Sequence, residues 1–171
     1  MTAGEFFQRD AGQLFGFGSL QSKPVVGSIQ IEASGPGVVG DVIFGDAGSF
    51  RYAAAMALQN RKFTKAVFSQ VANASSFFTG IALYNPNSQP ADVTVEVFSD
   101  LAVLTGQANL MLAAGSRISR LLAELAPSTA NQSRGYVVVR STQPLVAQQL
   151  FGDPGLNFLS AVPPSIVESA P

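Results

Sequence analysis

The chain has 171 residues, of which 47% are hydrophobic and only 12% are charged, so much of its surface must consist of uncharged polar residues. Ten Lys and Arg nearly balance eleven Asp and Glu, and a net charge of −1 leaves no basic stripe for a phosphate backbone, so we expect no nucleic-acid partner. The absence of Cys and His excludes the usual zinc sites, a cysteine nucleophile and a Ser-His-Asp triad, and we predict no catalytic residue, no metal and no cofactor.

The N-terminal stretch lacks the charged-then-apolar order of a secretory signal. No apolar run reaches the roughly twenty residues that a membrane helix needs, so we expect no membrane insertion. If the parent protein is secreted, its signal lies outside this sequence.

The segments 27–57 and 135–164 share a series of glycine, proline and Phe-Gly-Asp positions in the same order. Both begin at a glycine, continue through a proline and end in a Phe-Gly-Asp turn; the landmarks are Gly27, Pro36 and Asp46 in the first copy and Gly135, Pro144 and Asp153 in the second. The offset between the copies changes by one residue between the proline and the aspartate, as an insertion in a loop would produce. We therefore predict an internal repeat whose two copies share one β arrangement.

This repeat implies a domain organisation in which the chain starts in mid-module. We expect residues 1–59 to be the rear half of a β-sandwich module packed on the next one, residues 60–164 to be a complete module, and residues 165–171 to be a linker. The basic run 61–65 marks the join. Four phenylalanines of the half-module are expected to be buried against the complete module: Phe6, Phe7, Phe15 and Phe17.

Short strands punctuated by turns dominate the remainder of the chain. Residues 92–98 alternate polar and apolar side chains and give the clearest half-buried strand, with three valines on one face. Residues 107–112 form a second alternating strand. The other predicted strands are 67–71, 78–84, 136–140 and 145–151, and residues 85–90 form a turn fixed by two asparagines and two prolines.

Apolar residues at helical spacing predict one helix over residues 117–126, with Ser116 as its N-cap and Pro127 closing it. The apolar residues are Ile118, Leu121, Leu122 and Leu125. Taken together, the elements predict an all-β fold. It is an immunoglobulin-like or related two-sheet β-sandwich with one short crossover helix, built as one full module plus a half-module.

Three successive segments, 68–72, 79–87 and 91–98, carry a resemblance to a known class of modules. They read Phe-Ser-Gln-Val-Ala, Thr-Gly-Ile-Ala-Leu-Tyr-Asn-Pro-Asn and Ala-Asp-Val-Thr-Val-Glu-Val-Phe. This pattern resembles uncharacterised β-sandwich repeat modules of large secreted bacterial proteins, of acidobacterial type. The resemblance covers residues 64–164 and, through the repeat, about 4–57. It implies a passive part of an extracellular protein. One departure is that Leu101, rather than a glycine, follows Asp100 in the hairpin turn.

Carboxylates are the remaining candidates for metal binding or acid/base catalysis. Asp46 and Asp153 occupy equivalent turns, but each turn supplies one carboxylate where calcium needs six to eight oxygens, so we interpret both as structural turn residues. Asp92 and Glu96 share one strand face and could form an acid/base pair. Ordinary alternation toward solvent explains them better, and we predict that the protein is not an enzyme.

Aromatic and amide side chains around the strand 78–84 form the candidate ligand or interface surface: Phe77, Phe78, Tyr84, Asn85 and Asn87. Sugar-binding platforms usually use Trp and Tyr, whereas this chain has no Trp and three Tyr, so packing between modules is favoured. We therefore expect a non-catalytic structural or adhesive module of a larger extracellular or cell-surface bacterial protein. Its expected partners are neighbouring modules of the same parent, and a cell-surface protein or polysaccharide. The alternative is a carbohydrate-binding module.

Overall fold

The computed structural model describes residue 2 and residues 4–17, 27–46, 51–74 and 76–169. In chain order, the described elements are α1 (Ala11–Phe15), β1 (Asp41–Gly45), β2 (Ala53–Ala57), β3 (Phe63–Phe68), β4 (Phe78–Tyr84), β5 (Ala91–Phe98), β6 (Leu104–Leu112), β7 (Arg117–Leu121), α2 (Leu122–Leu125), a 3-10 turn (Pro127–Thr129), β8 (Tyr136–Gly152), β9 (Leu159–Val162) and β10 (Ser165–Ser169). None of the described helices has the length and hydrophobicity needed to cross a membrane.

Two antiparallel sheets share the long strand β8. In the first sheet the strand order is β10-β3-β8-β5-β6, and β8 contributes residues 136–141. In the second sheet the order is β7-β4-β8-β9, and β8 contributes residues 146–152. The predicted strands 136–140 and 145–151 are therefore one strand that passes from one sheet to the other through Pro144. The all-β, two-sheet sandwich expected from the sequence is confirmed.

The core lies between the two sheets and is made by alternating side chains. Val93, Val95 and Val97 of β5 point inward and are buried, as the sequence predicts. They meet buried residues of the other strands and of α2, among them Phe63, Phe68, Ile81, Leu83, Leu122 and Leu145. Burial of each such side chain stabilises the fold by about 1.5–3 kcal/mol, so this cluster supplies most of the driving force for folding.

The predicted helix over 117–126 is wrong in its first half. Residues Arg117–Leu121 form strand β7, which pairs with β4 from Tyr84 opposite Arg117 to Gly80 opposite Leu121. A single helical turn follows, in which Glu124 Oε2 accepts a hydrogen bond from the Leu121 N–H at 3.1 Å. Ile118 and Leu122 reach the core in this arrangement, whereas Leu121 is exposed. Backbone pairing with β4 has outweighed the local helical spacing, as tertiary context commonly does.

The boundaries of the module also differ from expectation. The predicted linker 165–171 is wrong over Ser165–Ser169, which form β10 and pair with β3. The basic run 61–65, expected to mark a join, enters β3 at Phe63, whose side chain is fully buried. The sandwich therefore extends from Phe63 to Ser169.

The N-terminal region contributes little to this core. Phe6 is 82% exposed, Phe7 50%, Phe15 48% and Phe17 39%, so the expectation that they are buried against the complete module is wrong. Helix α1 contains no buried residue. Among the described residues, the main contacts of the region with the sandwich lie at its end, where β2 lies beside β9 and Gln59 Nε2 donates to the Ala147 carbonyl at 2.8 Å. An α-helix of five residues and a two-stranded hairpin have too little apolar surface to form a core of their own.

The internal repeat recurs only at the level of a hairpin. Strands β1 and β2 flank the first Phe-Gly-Asp turn, as the end of β8 and β9 flank the second. Upstream of the turn, however, residues 27–40 contain no strand, whereas 136–141 lie in β8. The two hairpins also belong to different sheets. The prediction that 27–57 and 135–164 share one β arrangement is therefore wrong. Among the described residues, β1 and β2 form backbone pairs only with each other, whereas the end of β8 pairs with both β4 and β9.

Candidate functional site

The surface predicted around β4 is divided between the two ends of that strand. Phe77 and Phe78 lie at its start, whereas Tyr84, Asn85 and Asn87 lie at or beyond its end. A seven-residue strand spans about 20 Å at about 3.3 Å per residue, so the two groups do not form one binding surface.

Asn85 and Asn87 hold loops together inside the protein. Asn85 is fully buried, and its Nδ2 donates to the carbonyls of Gln89, Leu112 and Ala113 at 2.8, 3.1 and 3.2 Å. Its Oδ1 accepts from both the backbone N–H and the Nδ2 of Asn87. Asn87 Nδ2 in turn donates to the Pro144 carbonyl at 2.7 Å, at the bend of β8. These amides satisfy backbone groups at the end of β6 and at the β8 bend, which leaves Asn85 without a surface for a ligand.

Phe77 belongs to a cluster of three rings at the other end of the second sheet. Its ring centroid lies 6.0 Å from that of Phe158, which lies 5.9 Å from that of Phe151. Asp153 positions Phe158, because its Oδ1 accepts from the backbone N–H groups of Asn157 at 2.7 Å and of Phe158 at 3.1 Å. This cluster explains why a Phe-Gly-Asp sequence stands at the turn.

The protonation of Asp153 reflects the same contacts. Partial desolvation raises the pKa of this carboxyl, but hydrogen bonds from the Asn157 side chain and from the backbone of Phe158 and Asn157 favour the charged form, and the pKa lies below its ordinary value of 3.8. Asp153 is thus a charged turn residue, as interpreted from the sequence. The equivalent Asp46 makes a different contact, an ion pair with Arg51 at 3.4 Å.

A second buried polar network closes the end of the sandwich near the 3-10 turn. Thr79 Oγ1 accepts from the Ala72 N–H, Asn73 Oδ1 accepts from the Thr79 N–H, and Asn73 Nδ2 donates to Thr129 Oγ1. Thr129 Oγ1 donates to the Ala126 carbonyl at 2.7 Å. These buried side chains satisfy one another and the backbone, so they act in structure rather than in binding.

The outer face of the first sheet presents a polar surface outside these networks. We define the outer face by the solvent-directed side chains of β5, β6 and β8: Asp92, Thr94, Glu96, Phe98, Gln107, Asn109, Met111, Tyr136 and Arg140. The alternation of β5 and β6 brings these residues to one side, opposite the buried valines. The sequence reveals this face through the alternation itself, although the prediction placed the candidate surface at β4 instead.

Neighbouring side chains on the outer face hold one another in place. Arg140 Nε donates to Glu96 Oε2 at 3.0 Å, and Thr94 Oγ1 donates to Asn109 Oδ1 at 3.1 Å. The rings of Phe98 and Tyr136 stack with centroids 5.1 Å apart and an angle of 10° between their planes. A shallow open depression of about 350 Å³ lies across β5 and β6 beside Asp92, Thr94, Asn109 and Met111. The face is therefore nearly flat, uncharged along β6, and lacks an enclosed cleft.

The carboxylates on this face are poorly placed for acid/base chemistry. Asp92 and Glu96 are four residues apart on one strand, about 13 Å at about 3.3 Å per residue. Paired carboxylates in glycosidases stand about 5–9.5 Å apart. Glu96 is moreover bound to Arg140. Among the described residues no three His, Cys, Asp or Glu side chains come together as a metal site.

The comparisons with known proteins bear on the fold. A scan against protein-family models found no match, and no curated protein sequence matched. The crystal structure of Thermotoga maritima 1070 is similar with a TM-score of 0.57 and 13% identity, covering 66% of this chain and 100% of that chain. The Anabaena sensory rhodopsin transducer has a TM-score of 0.43 and 14% identity, covering 53% of this chain and 98% of that chain.

At such low identity, the likeness to the Thermotoga maritima structure establishes a shared fold and nothing about ligands. The likeness to the Anabaena structure is too weak to support an argument. The resemblance to acidobacterial-type modules stays a prediction, since neither structure is such a module.

Proposed function

We propose that this chain is a non-catalytic structural or adhesive module of a larger extracellular or cell-surface bacterial protein. The observation that carries the proposal is the outer face of the first sheet, which is flat, ordered and open to solvent, and which ends at β6, a strand that pairs with β5 alone among the described residues. Flat faces and open edges suit assembly with other proteins, whereas enzymes usually enclose their substrates in a cleft.

The buried polar side chains support the same proposal, because their hydrogen bonds are made within the protein. Asn73, Thr79, Asn85 and Thr129 are buried, and each is bound to backbone or to another buried side chain. The partners in this proposal are neighbouring modules of the same parent, and a cell-surface protein or polysaccharide. An extracellular location accords with the low charge and the lack of cysteine.

Turnover assays test the non-catalytic part of this proposal. The full chain is incubated with a panel of glycosides, esters and peptides, and we expect no hydrolysis above background. Hydrolysis that is abolished by Asp92→Asn or Glu96→Gln would overturn the proposal, because those side chains are the carboxylates closest to convergence on the outer face.

Carbohydrate binding is the second candidate, and one observation favours it. The amides of Gln107 and Asn109 and the hydroxyl of Thr94 share the outer face with the stacked rings of Phe98 and Tyr136. Amides and an adjacent ring are the groups that sugar sites use. We would expect saturable binding of a soluble polysaccharide that Gln107→Ala and Tyr136→Ala weaken at least tenfold. Ser119→Ala on β7 serves as a matched control on another strand. Binding that is equal in all four proteins contradicts this candidate.

A further inference from the structure

The edge of the first sheet at β6 is unlike the other edges of the sandwich. Strand β6 pairs with β5 alone within the described part of the chain, and its nine residues Leu104–Leu112 contain no charged residue and no proline. Proteins usually protect such an edge with charges, proline, bulges, short strands or a covering element. Residues 106–112 are in regular register with β5 and have none of these devices.

The other three edges each have protection. Strand β7 contains Arg117 and Arg120. Strand β10 pairs with β3 through two register shifts. Strand β9 has only four residues and has β2 beside it. The contrast singles out β6 as the edge that remains able to accept another strand.

Neighbouring elements define how much of β6 is open. At its start, Ser128 Oγ donates to the Thr105 carbonyl at 2.7 Å, and a Cβ on Gly106 would lie 2.7 Å from Thr129 Cγ2. At its end, Asn85 Nδ2 donates to the Leu112 carbonyl. Residues 107–111 lie between these two closed ends. A partner strand therefore has a five-residue window, centred on Asn109.

We propose that residues 107–111 of β6 pair edge to edge with the same residues of a second copy of this chain, antiparallel about a two-fold axis at Asn109. This inference deepens the proposed function by naming a partner and rests on it. In such a pair Asn109 faces Asn109 of the second copy, and Gln107 faces Met111. Every cross-strand pair is then neutral, and the exposed amides of Gln107 and Asn109 can bond across the junction.

Charge on the neighbouring strand does not oppose the pairing. The nearest acidic side chains are those of β5, where Asp92 stands opposite Met111 and Glu96 opposite Gln107. The two β5 strands of a pair would be three strand spacings apart, about 14 Å, at about 4.8 Å each. This separation exceeds the Debye length of about 8 Å at physiological salt. Arg140 also neutralises Glu96.

The small contact area of the paired edges determines how strongly we expect the two copies to associate. A five-residue window buries far less than the roughly 1,200 Å² of a stable interface, so we expect weak association that becomes effective when copies are held close together. Sedimentation equilibrium on the full chain of 17.8 kDa measures this directly. The average mass should rise toward that of a dimer between about 10 µM and about 1 mM, the range of weak complexes.

A cysteine placed at the axis gives the sharper test. Because the chain has no Cys, Asn109→Cys introduces a single thiol. Facing residues of an antiparallel pair have Cα atoms about 4.5–5.5 Å apart, which lies within the reach of a disulfide. We expect mild oxidation to convert most of this variant to a disulfide-linked dimer. Ser119→Cys, which is exposed on the β7 edge, should remain largely monomeric.

A charge at position 109 should prevent the dimer that the cysteine at that position would capture. Asn109→Lys places two like charges at the axis and should abolish the rise in mass, whereas Ser119→Lys should not. Circular dichroism and melting of each variant check that the fold is retained. If Asn109→Lys fails to fold, Met111→Lys at the rim of the window replaces it, with the same expected loss of dimer.

Two results would overturn the edge pairing. One is a wild-type chain that stays monomeric at all concentrations, with no disulfide capture at position 109. The other is a dimer that is insensitive to Asn109→Lys but abolished by Ile31→Lys, which would place the unpaired segment 27–32 of one copy in the junction instead. Neither result would change the proposal that the protein is non-catalytic. Hydrolysis of a compound in the substrate panel, in turn, would not change the proposal of edge pairing. The two proposals can therefore fail independently.

Discussion

Phenylalanine side chains are buried in the sandwich but exposed in the region that precedes it. Phe63 and Phe68 of β3 are fully buried, whereas Phe6 and Phe7 are exposed by half or more. Strand β3 has β8 on one side and β10 on the other, so its inward residues meet a complete core. Strands β1 and β2 have only each other in the two-stranded sheet. The difference teaches that burial in this fold follows from the number of neighbouring strands rather than from local hydrophobicity.

The largest test of this comparison removes one ring from each region. Phe63→Ala should lower the free energy of unfolding by about 3–5 kcal/mol, because it leaves a cavity in the core. Phe6→Ala should change it by less than about 0.5 kcal/mol, as exposed substitutions usually do. Urea unfolding followed by far-ultraviolet circular dichroism measures both. Similar losses in the two variants would show that the N-terminal region is part of the cooperative unit.

A smaller effect is expected from the buried amide at the end of β4. Asn85→Ala removes the donor for three carbonyls and should cost about 1–3 kcal/mol, the usual result of leaving buried acceptors unsatisfied. Asn109→Ala on the exposed outer face is the matched control and should lie within about 0.5 kcal/mol of wild type. Equal stability of Asn85→Ala and Asn109→Ala would show that the hydrogen bonds of the buried Asn85 amide do not stabilise the fold.

The pH dependence of stability tests the role of the charge on Asp153 in the second Phe-Gly-Asp turn. Because the folded-state pKa of Asp153 is lowered, its contribution to stability is present above the ordinary pKa of 3.8 and is lost as the pH falls through the lower folded value. Asp153→Asn should therefore melt slightly below wild type at neutral pH, and the two melting temperatures should converge in that acid window. Asp92→Asn, at an exposed strand position, is the control. A gap that persists at low pH would mean that charge is not the cause.

The smallest expected effect comes from deleting residues 1–40. This change keeps β1, β2 and the contact from Gln59 to Ala147, and it removes residues that bury no side chain among those described. We expect an unchanged melting temperature and, at low protein concentration, no aggregation by light scattering. A fall in melting temperature by several degrees, or aggregation, would restore the expectation that the N-terminal region packs on the complete module.

Sequence reasoning succeeded where local pattern and tertiary role coincide. Strand β5 alternates because one face meets the core and the other meets water, so its bounds and its buried valines follow directly from the sequence. The same holds for β4 and for the end of β6. The structural interpretation of Asp153 was also accessible, since its hydrogen-bond partners lie within five residues of it.

Predictions failed where the deciding contacts are distant in the chain. Ile118 and Leu122 satisfy both helical and strand spacing, and only pairing with β4, more than thirty residues away, selects the strand for Ile118. Asn85 resembled a surface turn residue because its partner Leu112 lies 27 residues away. Likewise, the tail became β10 because β3 offers it an edge, about a hundred residues earlier in the sequence.

The pairing of β3 with β10 also determines how the sandwich responds to mechanical load. The strands are antiparallel, with Phe63 beside Ser169, so the first and last residues of the sandwich lie at the same end of one strand pair. A pull applied at these two residues loads the hydrogen bonds one after another from that end, as in a zipper, rather than all at once in shear. Strand β10 should peel away at low force while β8 still joins the two sheets. A row of such modules would then lengthen under tension in small reversible steps before any core opened.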